Sequence, residues 1–121
     1  MDTHLLLSLF HIFAVVPFFL YIALSRANTS YTVYKIAFVV GILITLYHAY
    51  KALIKFRAGS QSVWVNLIHC LFIGPLLIYI GLLEQNTPRA AYEILAITGF
   101  GAAGYHIYHL IQMMTLVEKN D

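Results

Sequence analysis

The sequence predicts an all-α fold. Its form is a polytopic membrane four-helix bundle of two tandem helical-hairpin repeats, with a pseudo-two-fold axis along the membrane normal. Three observations carry this. Charge is scarce: hydrophobic residues make up 61% of the 121 and charged residues 10%, against about 25% charged in a soluble domain. Mean hydropathy is +0.81. Charge-free apolar runs at Leu5–Ser25, Ala58–Leu83 and Ile94–Val117 reach the length of about 20 residues that a bilayer requires. A shorter run, Ile36–Tyr50, extends to a full span if Lys35 and Lys51 snorkel to the interface.

The third observation is an internal repeat. Shifting the chain by 58 residues without a gap pairs Leu5 with Val63 through Arg57 with Thr115, and 14 of those 53 pairs are identical. The matches include His11/His69, Pro17/Pro75, Asn28/Asn86, Gly41/Gly99 and His48/His106, with Tyr21, Tyr34, Tyr47 and Tyr50 on Tyr79, Tyr92, Tyr105 and Tyr108. A fixed period of this length marks duplicated supersecondary units. One transmembrane domain over 1–121 then holds repeat one at about 4–57 and repeat two at about 62–115.

The first helix is expected over about 4–25. A secretory signal resembles it superficially, but Asp2 and His4 replace the usual basic leader and the apolar run exceeds about 7–15 residues. Without it, the span around His69 would lose its repeat partner. The second helix is expected over about 31–56, the third over about 61–83 and the fourth over about 89–117. Asn28-Thr29-Ser30 and Asn86-Thr87-Pro88 read as N-cap signals. Pro17 and Pro75 fall inside spans and should kink the first and third helices alike. Gly74, Gly81, Gly99, Gly101 and Gly104 read as positions of close helix approach.

Two spans per repeat bring the second copy into the membrane in the orientation of the first. The side with both termini holds Lys51, Lys55, Arg57 and Lys119; the other holds Arg26, Lys35 and Arg89. The positive-inside tendency then puts both termini in the cytoplasm. Trp64 falls at one interface, and Tyr31, Tyr34, Tyr79 and Tyr92 at the other. The expected partners are the lipid bilayer and a possible second copy of the chain. A net charge of +2 gives no basis for nucleic acid binding.

The functional candidates are histidines. His11 lies about seven residues into helix one, or roughly 10 Å at 1.5 Å per residue. By the same count His48, His69 and His106 fall at similar depth on the terminal side. Ionisable groups inside a span are costly and mark function by default. Neutral imidazole ligates haem iron and transition metals. His11, His48, His69 and His106 are therefore the expected ligands of haem b or a transition metal, for electron transfer in the haem case. Tyr47, Tyr105 and His109 are expected as groups that orient them, and Lys51, Lys55 and Arg57 as partners for haem propionates. Two further readings fit the same residues: a channel or transporter with a histidine constriction or proton relay, and a structural membrane protein in which histidine and tyrosine fix helix register. Cys70 is the single cysteine and excludes an internal disulfide. No paired carboxylates, nucleophile triad or phosphate loop is present to indicate an enzyme.

Overall fold

The computed structural model describes residues 3–120, apart from the side chains of Val117, Lys119 and Asn120. Asp2 and Asp121 lie outside it. Four helices account for nearly all of the described chain, and no strand occurs among the described residues. They are α1 (Thr3–Asn28), α2 (Tyr31–Arg57), α3 (Val63–Asn86) and α4 (Arg89–Asn120). All four are long and apolar enough to cross a membrane. Their most apolar windows are only 11–33% buried. Phe13, Leu24, Phe56, Leu71 and Ile97 are each more than 70% exposed. In water, so much contiguous apolar surface would drive association.

The chain packs as two compact units. One joins α1, up to Ser25, with α4 from Tyr92; the other runs from Arg26 to Ala91 and holds α2 and α3. Each unit thus takes one helix from each half of the sequence. In the second unit α2 and α3 run antiparallel: Phe38 lies on Gly81, Gly41 on Gly74 and Ile78, and Thr45 on Gly74. Glycine is required where these backbones meet, because a Cβ on Gly41 would stand 2.8 Å from Gly74 O and from Ile78 N. In the first unit, Gly99 of α4 faces Phe19 and Leu20 of α1 more loosely, its nearest approach being 3.2 Å. Gly101 and Gly104, expected as packing positions, have nothing within 4 Å. They stand open because their faces of α4 carry no close neighbour.

The helix ends correct one expectation. Ser30 occupies the N-cap position of α2, but its side chain makes no capping bond. Thr87 instead reaches backward: Oγ1 donates to Glu84 O at 2.7 Å and Ile80 O at 3.3 Å, closing α3. The residue types favour a cap, but the 3₁₀ turns Arg26–Asn28 and Glu84–Asn86 leave carbonyls that need donors. Tyr34 Oη meets the same need at the other turn, donating to Arg26 O at 2.7 Å. Arg26 and Glu84 carry the positive φ values, 49° and 51°, that make these turns. They are 58 residues apart, like the threonines Thr29 and Thr87, which are both buried.

Candidate functional site

Proline shapes the backbone around two of the histidines. Pro17 and Pro75 have no N–H, and their rings crowd the carbonyl four residues earlier. The helix answers by widening to π geometry over His11–Val15 and His69–Ile73. The Val16 and Gly74 amides donate back to His11 O and His69 O across the wider turn. A π turn holds one residue more than an α turn and so rotates everything N-terminal to it by about 100°. It therefore sets the face on which His11 and His69 emerge, and such turns recur at functional sites.

The four expected histidines meet in two pairs, one per unit. His11 of α1 stacks on His106 of α4, with centroids 4.3 Å apart and planes inclined by 25°. His48 of α2 stacks on His69 of α3 with the same separation and inclination. Each pair is level within its own unit. Sequence counting anticipated level histidines but did not say which of them pair.

Tautomers follow from hydrogen bonds. His11 Nδ1 lies 2.7 Å from Leu7 O and His69 Nδ1 2.6 Å from Val65 O. A carbonyl only accepts, so both rings donate from Nδ1, and in the neutral ring Nε2 is then the basic nitrogen. His48 Nδ1 donates to Asn66 Oδ1 at 2.9 Å. Asn66 is buried at 4% exposure, and its Nδ2 is buried without a partner. Sequence reasoning missed Asn66 because it counted ionisable groups only. The legible signal was a lone amide in an apolar span, three residues before His69 and so on its helix face. The position 58 residues earlier holds Ser8, also polar and buried.

Of the expected orienting residues, Tyr47 and Tyr105 stand edge-on to their chain neighbours His48 and His106, at 5.1 Å and 5.2 Å. Tyr105 also meets His109, with centroids 4.4 Å apart. His109 therefore joins the tyrosine beside the first pair, outside the stack itself.

The pairs can be tested against a bound metal. Two imidazoles sharing one ion hold it near both ring planes, about 2.0–2.1 Å beyond the coordinating nitrogen. In each pair the rings face each other, with centroids 4.3 Å apart and planes inclined by 25°. Rings facing each other across an iron would have centroids about 6 Å apart. At 4.3 Å neither stacked pair is spaced to bracket an iron. Among the described residues, no three His, Cys, Asp or Glu side chains gather as a metal-holding group. Comparison with known families, curated proteins and solved structures finds no match to this chain.

Proposed function

We propose that this chain is an integral membrane protein that takes up and passes protons through its two stacked histidine pairs. The observation that carries the reading is the repeated stack, with the same separation and inclination in both units, in which Nδ1 of three rings is a fixed donor. Nε2 is left as the nitrogen that gains and loses the proton. The apolar spans around the pairs contain no carboxylate to neutralise them. Loading both stacked rings would hold two like charges side by side, so each pair takes one proton at a time, exchanged at Nε2 in the ring plane and not across the stacked faces. The pair suits single-proton transfer.

The four apolar helices and their exposed apolar faces support the membrane setting. The recurrence of histidine, proline, π turn and strained turn at 58-residue intervals supports a duplicated origin and a pseudo-two-fold arrangement. The basic residues Lys51, Lys55 and Arg57 support a cytoplasmic placement of the terminal side.

The test is proton flux in liposomes carrying the full chain under an imposed pH gradient. The reading expects flux above that of empty vesicles, cut at least tenfold by His48→Ala with His106→Ala. Flux that those changes leave intact would sink it. A Soret band or stoichiometric metal in the purified protein would replace it with the ligand reading.

A further inference from the structure

The unit of α2 and α3 carries two open grooves at the end where α2 begins and α3 closes. One, of about 350 Å³, is lined by Lys35, Phe38, Val39, Gly81, Leu82 and Glu84. The other, of about 280 Å³, passes along α2 by Thr32, Ile36 and Val40 and shares Lys35 and Val39 with the first. Those two residues stand four apart on one face of α2, as a ridge between the grooves. Gly81 lets α3 lie directly against α2 there, since a Cβ on it would stand 2.7 Å from Phe38.

Charge is confined to one end. Lys35 lies one turn into α2, and Glu84 follows the last α-helical residue of α3. Deeper along both helices the lining is Phe38, Val39, Val40 and Leu82, all apolar. From Thr32 to Val40 the grooves follow α2 for about 12 Å, most of the roughly 15 Å of one leaflet. Two apolar grooves that meet at one cation match a phosphate carrying two acyl chains. A helix of a second copy, about 10–12 Å wide, would instead bury the Lys35 ammonium against apolar surface.

Glu84 selects the headgroup. A carboxylate beside the lysine repels a headgroup of net negative charge and accepts hydrogen bonds from an ammonium. Its two oxygens offer about four lone-pair sites, enough for an ammonium alongside a contact within the chain. A quaternary ammonium has no N–H to donate and is held best on an aromatic face. At this rim Lys35 Nζ already stands over the Tyr31 ring, 4.6 Å from its centroid.

We infer that this unit binds one zwitterionic phospholipid with a primary ammonium headgroup. Its phosphate meets Lys35, its ammonium meets Glu84, and its two chains lie in the grooves on either side of Val39. The inference needs the membrane setting and not the proton reading.

The experiment is native mass spectrometry of the full chain in detergent, titrated separately with dioleoyl phosphatidylethanolamine, phosphatidylcholine and phosphatidylglycerol. One ethanolamine lipid per chain should be retained, about tenfold more tightly than the choline lipid, the worth of one charge-assisted hydrogen bond. Glu84→Gln should bring the ethanolamine lipid down to the choline level and leave the choline lipid unchanged. Lys35→Gln should weaken both several-fold. Val39→Trp keeps both charges but fills the grooves, and should also weaken both several-fold. Lys55→Gln, near the other end of α2, should change neither. Lys35 and Val39 are exposed, so their variants keep the fold, which circular dichroism checks. Equal affinity of the wild-type chain for the three lipids overturns the inference. So does tightest binding of the glycerol lipid, or a preference for ethanolamine that survives Glu84→Gln. A lipid-free dimer that Val39→Trp dissociates would give the grooves to a second copy and overturn it as well.

Discussion

Replacing Gly41 by alanine tests whether the close approach of α2 and α3 holds the histidine stack. An added Cβ would stand 2.8 Å from Gly74 O and Ile78 N and 2.9 Å from Ile78 Cγ1, where ordinary contact begins at 3.4 Å. Two of these atoms are backbone and cannot swing aside, so the helices must part by about 0.6 Å, the shortfall from ordinary contact. Overpacking of this kind costs about 1–3 kcal/mol, and the gain from replacing a helical glycine returns roughly 0.5–1 kcal/mol. The net expectation is a loss of about 1–2 kcal/mol. The same displacement stretches the His48–Asn66 bond from its 2.9 Å towards the limit of a hydrogen bond. Reversible unfolding in mixed detergent micelles gives the stability, with Gly101→Ala as the control. Gly101 has nothing within 4 Å, so that change should stabilise by about 0.5–1 kcal/mol. A Gly41→Ala chain as stable as the wild type, or an equal effect of both changes, would refute the packing argument.

Other changes probe the turns and the site. Glu84→Gly relieves φ 51°, ψ −125° and should stabilise by about 1–2 kcal/mol in the same unfolding assay. Thr87→Val removes the hydroxyl donor to Glu84 O and Ile80 O but leaves each carbonyl its backbone donor, Thr87 N and Glu84 N, and should destabilise by about 0.5–1.5 kcal/mol, the net worth of one hydrogen bond. Pro75→Ala restores an amide donor, letting the π turn at His69–Ile73 revert to α. That rotates His69 by about 100° away from His48, and liposome proton flux should fall while the chain still folds.

Much of the fold could be read from the chain because its signals are long. Apolar runs of span length, interrupted by Arg26–Ser30, Arg57–Ser62 and Glu84–Pro88, left little freedom in placing four helices. The helix ends were less legible. Asn-Thr-Ser and Asn-Thr-Pro look alike whether threonine caps the next helix or closes the previous one, and only the 3₁₀ turn decides. The histidines stood out as costly groups in spans. Which of them pair depends on the packing within each unit, and antiparallel order alone was compatible with several pairings. The prolines predicted kinks, and the π turns at His11–Val15 and His69–Ile73 were not anticipated, since a π turn and a simple kink both relieve the missing amide. Asn66 was legible only as a polar exception. Its meaning comes from the bond to His48 across two helices.

The central claim is that the paired rings hold their neutral-state proton on Nδ1 and exchange the other at Nε2. Nitrogen-15 NMR of the ring nitrogens, in full-length protein labelled at histidine and titrated in lipid, tests it directly. The account predicts neutral His11, His48 and His69 as Nδ1–H tautomers, against the usual preference of a free ring, with proton uptake appearing at Nε2. Rings that remain Nε2–H when neutral, or that take up no proton anywhere in the titration, would contradict it.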